Sequence, residues 1–173
     1  YYFVHALDIP SGGDYGNLIL SKYPICEEKS FKLSALKEGD YIRSFGYVKV
    51  SKEGKEFYFA TTHLDHKYED AARLLQINEI LSHVEQLDLP VILGGDLNSR
   101  RGSATMDAFQ RYFTVNCLSD GAPWTVPTPN PTYACDWLIY APNKAFVVKA
   151  YNVCYWADKE SDHFPVTATY VIR

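Results

Sequence analysis

The sequence is short of four things: long apolar runs, paired cysteines, an excess of positive charge, and a basic leader. No stretch approaches the ~18–20 consecutive apolar residues that cross a bilayer, so no membrane-spanning helix is expected. Tyr1-Tyr2-Phe3-Val4-His5 lacks the basic-then-apolar order of a signal peptide. Cys26, Cys117, Cys135 and Cys154 stand singly, and without a Cys-x-x-Cys pair there is no zinc or dithiol motif. An even number permits two disulfides in an exported protein, and burial as small apolar residues serves equally, so the compartment stays open. Lys and Arg number 17 against 21 Asp and Glu, a formal net charge of −4. No global positive field therefore holds a nucleic acid or an anionic membrane, and any phosphate must be invited locally.

What is present is one domain's worth of chain: 173 residues, 47% apolar and 22% charged. Asn17 to Ser21 is a short apolar run between Gly16 and Pro24, expected as a buried inner strand. Tyr41–Val50 and Phe57–Thr62 are rich in β-branched and aromatic residues and flank a polar stretch containing Gly54, which predicts an antiparallel hairpin. From Glu69 to Leu87 the period turns helical, with Leu74, Ile77, Leu81 and Val84 on one face together with Ala71, Ile80 and Leu87. Arg73 and the glutamates fall largely elsewhere. Pro90 stops that helix, and Val91-Ile92-Leu93 leads as a strand into Gly94-Gly95-Asp96. Ser103 is placed to cap a short helix through about Phe113. Prolines 123, 127, 129 and 131 make 120–131 a surface loop beside the site. Strands resume over 133–140, 146–156 and 164–172.

Three segments deliver polar groups at strand ends: Thr62-His63-Leu64-Asp65-His66, Gly94-Gly95-Asp96-Leu97-Asn98-Ser99 and Ser161-Asp162-His163-Phe164-Pro165. Ligands and catalytic groups of layered α/β folds collect where strands leave the sheet. Carboxylates and imidazoles gathered there make a candidate hydrolytic centre around a divalent cation, and Asp-rich donors without cysteine pairs suit Mg²⁺ or Mn²⁺. Each segment also has a plainer account. Asp96 and Asn98 suit a turn that bonds its own backbone, His63 a half-buried histidine, and Asp162 an Asx turn. Asp136 resists such an account, because a carboxylate inside Tyr133-Ala134-Cys135-Asp136-Trp137-Leu138-Ile139-Tyr140 is costly unless a donor meets it, and an imidazole N–H is the usual one.

Together, Gly94-Gly95-Asp96-Leu97-Asn98-Ser99 and Ser161-Asp162-His163-Phe164-Pro165-Val166 resemble the endonuclease/exonuclease/phosphatase superfamily. Thr61–Asp65, Tyr15–Pro24 and Cys135–Ile139 match further family segments in order. The resemblance implies a deoxyribonuclease I-like α/β fold, a four-layer sandwich with two facing β-sheets, and metal-dependent hydrolysis of a phosphate ester. It implies that Asp96 positions or deprotonates the attacking water and that Asn98 donates to a phosphate oxygen. His163 becomes the general base or phosphate stabiliser, Asp136 the carboxylate that orients it, and Asp162 a metal ligand together with Asp96. His63 becomes a second histidine at the phosphate, with Asp14 as its acidic partner. The family normally opens with an Asn-bearing strand and a strand ending in Gln-Glu, and neither precedes Tyr1. The expectation is therefore the C-terminal part of a longer enzyme, with N-terminal strands missing and sheet left open to self-association. A binding module that keeps the fold without catalysis, or a subunit completed by a partner chain, is the alternative.

Overall fold

The computed structural model describes residues 1–67, 70–115 and 123–173, so Cys117, the first residue of the expected helix and residues 120–122 of the expected loop lie outside it. The expected hairpin forms as β4 (Arg43–Lys52) and β5 (Lys55–His63). It closes through Glu53 and Gly54, whose φ values of 53° and 80° supply the two left-handed residues of a tight turn. β6 (Val91–Asp96) lies parallel to β5, and α1 (Asp70–Val84) makes the crossover that a parallel pair requires. β8 (Asp136–Ala141) pairs antiparallel with the other side of β6. With β3 (Ile25–Leu33) at one edge and β7 (Thr114–Val115) at the other, the sheet runs β3-β4-β5-β6-β8-β7. β3 was not foreseen: Glu27, Glu28 and Lys29 are the charges of an edge strand, where they deter further pairing and hide the apolar alternation.

Helices cover one face of this sheet. Ile77, Ile80 and Val84 of α1 join Met106 and Phe109 of α2 (Ala104–Gln110) over Phe45, Tyr58, Leu93 and Ile139. Ser103 caps α2 as expected, accepting the Met106 N–H at 3.2 Å, although the regular helix ends at Gln110 rather than Phe113. The buried face of α1 differs from the expected one. Ala72, Arg73 and Gln76 are buried while Ala71 is exposed. Arg73 is tolerated there because it donates to the Asp65 carbonyl (3.1 Å), the Lys67 carbonyl and the Asp70 carboxylate (3.0 Å). Gln76 accepts the Asp65 N–H at 2.9 Å. These bonds fasten the loop after β5 to the helix, so the end of β5 is held from below.

Two hairpins cover the opposite face. β1 (Tyr2–Asp8) and β2 (Asp14–Ile19) seat Val4 and Ile19 on Val48 and Val50. β9 (Phe146–Val153) and β10 (Val166–Ile172) seat Phe146 and Tyr170 on Ile92 and Tyr140. The facing β layer is thus divided into two two-stranded sheets. Between them Phe57 and Phe59 of β5 floor grooves of about 380 and 220 Å³. β2, expected as an inner strand, has β1 as its partner, and Leu18 is 53% exposed.

On the helix side His83 stacks on Phe31 with ring centroids 3.6 Å apart, and burial lowers its pKa below the ordinary imidazole value of ~6.5. The unfolded chain therefore binds a proton first as pH falls. The contribution of His83 to stability is complete above the unfolded imidazole value of ~6.5 and is lost as pH falls from there toward the lower folded-state pKa. Thermal melts from pH 7.5 to 5.5 are expected to fall less steeply for His83→Leu than for the parent, and an unchanged slope would contradict this.

Candidate active site

The register of three neighbouring strands builds the site. β5 pairs His63 with Asp96, and β6 pairs Asp96 with Asp136, so residues from three distant segments form one row. Strand side chains alternate between faces. Phe57, Phe59 and His63 therefore share the hairpin face with Ile92 and Asp96 and with Leu138 and Asp136. β5 and β6 end together because they are parallel, and β8 starts where they end because it is antiparallel.

In that row His63 Nε2 lies 3.4 Å from Asp96 Oδ2. Asp96 Oδ1 accepts the Asn98 backbone N–H at 2.8 Å, and Asn98 adopts a left-handed φ of 46°. The turn account of this segment is thus correct as geometry, and it is also what holds Asp96 rigidly at the strand end. The Asn98 side-chain amide donates one hydrogen to the Leu64 carbonyl at 3.0 Å and keeps a second. His163 Nδ1 sits 2.9 Å from Asp136 Oδ2 and is the donor expected for that half-buried carboxylate. The proline-rich loop lies beside the site and ties it together. Thr125 Oγ1 accepts the Cys135 and Asp136 N–H groups at 3.2 and 3.4 Å. The Thr125 carbonyl accepts the Phe164 N–H at 2.7 Å.

Electrostatics separate the two histidines. The Asp136 hydrogen bond raises the pKa of His163, with further support from the charges of Asp96 and Asp162. Burial, reinforced by the Arg43 cation, pushes His63 down to about 4, so it is a neutral ring at pH 7. Burial and the nearby Asp136 charge raise Asp96. The two carboxylates repel each other, and a bound cation would relieve them.

One expectation is corrected by position. Asp14 does not pair with His63. Successive residues of β2 point to opposite sides, so Tyr15 reaches His63 Nδ1 through its hydroxyl at 3.1 Å, while Asp14 turns toward His5, 3.8 Å away. Asp162 is exposed and stands outside the group formed by Asp96, Cys135, Asp136 and His163, whose ligand atoms lie within 4.8 Å of one another. Its neighbour His163 takes the inward direction of that bend. Sequence reasoning missed three residues: Tyr15, Arg43 and Cys135. Arg43 donates to the Tyr15 oxygen at 3.1 Å, and a cation opening an otherwise buried strand was the available signal. Cys135 donates its thiol to Asp136 Oδ2 at 3.5 Å. Burial and the two carboxylates raise its pKa, so it stays a thiol rather than a thiolate ligand. The remaining donors, two carboxylates and an imidazole, fit an oxygen-preferring divalent cation.

A mixed sheet that lines up His63, Asp96 and Asp136, with an Asp-held His163 above them, defines a DNase I-like α/β protein. The chain belongs to the Endonuclease/Exonuclease/phosphatase family, whose sequence model matches residues 1–163. It is 35% identical over 127 residues to Sphingomyelinase C 1 of Leptospira interrogans, covering 65% of this chain and 21% of that protein. It is 30% identical over 116 residues to Phospholipase C of Staphylococcus aureus, covering 60% of this chain and 35% of that protein. Among solved structures, the mannosyl-6-phosphatase of Bacteroides thetaiotaomicron matches with a TM-score of 0.68 and 26% identity, covering 87% of this chain and 68% of that one. The chain therefore spans well under half the length of these two curated relatives. Among the described residues, no helix is long and apolar enough to cross a membrane.

Proposed function

We propose that this chain carries the base, histidine pair and phosphate-facing amide of a phosphoric ester hydrolase dependent on Mg²⁺ or Mn²⁺. The observation that supports this most directly is the in-register row His63, Asp96, Asp136, completed by the 2.9 Å bond from Asp136 to His163. Asp96 orients and deprotonates the attacking water, its raised proton affinity suiting a base. Asp136 fixes the His163 tautomer, leaving Nε2 to face the phosphoryl oxygens and exchange a proton with them. The spare Asn98 amide hydrogen donates where negative charge builds. With Tyr15 on its Nδ1, His63 presents Nε2–H as a neutral donor. Asp96 and Asp136 are the carboxylates that would hold the cation, which supplies charge neutralisation at the phosphoryl oxygens. The names of the relatives, sphingomyelinase, phospholipase C and a sugar phosphatase, favour a small or headgroup phosphate ester over a long nucleic acid, in keeping with the net charge of −4. The grooves floored by Phe57 and Phe59 receive further strands of a longer polypeptide, or a second copy where those are lacking.

Thermal stability in titrations of Mg²⁺ and Mn²⁺ tests the metal. Binding to the folded state alone contributes about 2.7 kcal/mol at a hundredfold excess over Kd. The melting temperature is expected to climb by several degrees, and Asp96→Asn to remove most of the rise. A flat titration in the parent would remove the metal from the proposal.

A further inference from the structure

Arg43 is a buried cation that meets no carboxylate among the described residues. It is 4% exposed, and its described partners carry no negative charge: the Tyr15 hydroxyl at 3.1 Å and the His66 ring, whose Nδ1 lies at 3.3 Å. Its buried Nε has no partner among the described residues. Arg73, equally buried at 5%, shows the usual solution, since the Asp70 carboxylate meets it at 3.0 Å. A desolvated guanidinium is costly unless an anion offsets it, and its fork of donors matches carboxylate and phosphate oxygens. Arg43 also lines a cavity of about 460 Å³ with Leu7, Ile9, Tyr15, Tyr41 and His66. The guanidinium lies 5.9 Å from the Tyr41 ring centre, which leaves one wall of the cavity apolar and its cationic corner fixed. The cavity is next to the catalytic row without being part of it. His63 separates the two, with Tyr15 on its Nδ1 at 3.1 Å and Asp96 facing its Nε2 at 3.4 Å. A volume of this size holds a group as large as a sugar or headgroup.

We propose that this cavity is a subsite for the group esterified to the reacting phosphate, and that Arg43 selects a group carrying its own anionic function, a second phosphate or a carboxylate. The inference rests on the hydrolase reading and names the substrate class that reading leaves open. A quaternary ammonium group, by contrast, meets a like charge at Arg43, so choline esters are poor fits for this subsite.

The test uses the full polypeptide that carries this chain, with Mg²⁺ or Mn²⁺. Two alkyl phosphate esters are compared, one ending in a carboxylate and one in a methyl group of similar size. The parent is expected to prefer the carboxylate ester at least tenfold in kcat/KM, mostly through KM. Arg43→Gln is expected to abolish that preference, and Arg43→Lys to restore part of it. Equal losses on both esters would overturn the proposal, because they would mean a contact to the reacting phosphate or a structural role. A preference for a phosphocholine ester would overturn it as well. Should the parent hydrolyse neither ester, the hydrolase reading fails on its own, and the subsite is judged by binding. Methylenebisphosphonate is then expected to bind the parent at least tenfold more tightly than methylphosphonate, with the difference lost in Arg43→Gln. Equal affinities in the parent would sink the subsite without reference to any variant.

Discussion

Asp96→Asn in the full polypeptide is expected to lower phosphate-ester turnover by at least ~10³-fold while leaving the melting temperature in the absence of metal unchanged or higher. A positioned base is worth roughly 10²–10⁴ in rate, and this carboxylate is also one of those proposed to hold the cation. Stability moves the other way. Burial and the Asp136 charge already make the ionised form of Asp96 unfavourable, so a neutral amide of the same shape removes a repulsion. Asn keeps the oxygen that accepts the Asn98 N–H. His163→Gln and Asp136→Asn are expected to cost ~10²–10⁴ each, and the pair together little more than either alone, because they act as one unit through their 2.9 Å bond. The measurement is kcat for the single and double variants beside their melting curves. Turnover within tenfold of the parent in Asp96→Asn would end the catalytic assignment of that residue.

The second large effect comes from the seam between β5 and β6. A Cβ on Gly95 would lie 1.9 Å from the Thr62 carbonyl oxygen and 3.0 Å from its carbon, both backbone atoms of the parallel partner strand. Nothing flexible can yield there, so Gly95→Ala must part the strands just before His63 and Asp96. A loss of about 3 kcal/mol or more is expected, near the upper end for overpacking, with a fall in melting temperature of roughly 6–12 °C. The separation of His63 from Asp96 should change as well, so activity is lost beyond what the instability explains. Gly94→Ala is the internal comparison. Its Cβ would meet the tip of Leu138 at 2.8 Å, and a side-chain end can rotate away. Melts of the two variants under one condition settle the order, and Gly94→Ala proving the more damaging would contradict the register described here.

Much of the framework was legible because it is written in local chemistry. The Glu53-Gly54 turn needs left-handed residues, Pro90 ends a helical period, and Ser103 can accept an amide at a helix start. Each of these acts within a few residues. The turn and the cap appear where the sequence placed them, whereas α1 already ends at Val84, short of the expected Leu87 and well before Pro90. The edge strand β3 was not legible, since its charges are those of a solvated segment. The inner face of α1 was misplaced because Arg73 and Gln76 are buried by bonds to Asp65 and its neighbours, which no periodicity in the helix records.

The sequence by itself determined which chemistry was available: two histidines, the carboxylates at 96 and 136 and the amide at 98, each at a strand end, with a family resemblance carried by Gly94–Ser99 and Ser161–Val166. Tertiary structure alone decided who touches whom. Strand alternation sent Tyr15 rather than Asp14 to His63, sheet register set Asp96 between His63 and Asp136, and packing buried Arg43 beside a cavity where no carboxylate among the described residues answers it. The reason is that residue types fix what a group can do, whereas direction and neighbours come from pairings between segments remote in the chain, and shifting such a pairing by one residue turns every side chain to the other face.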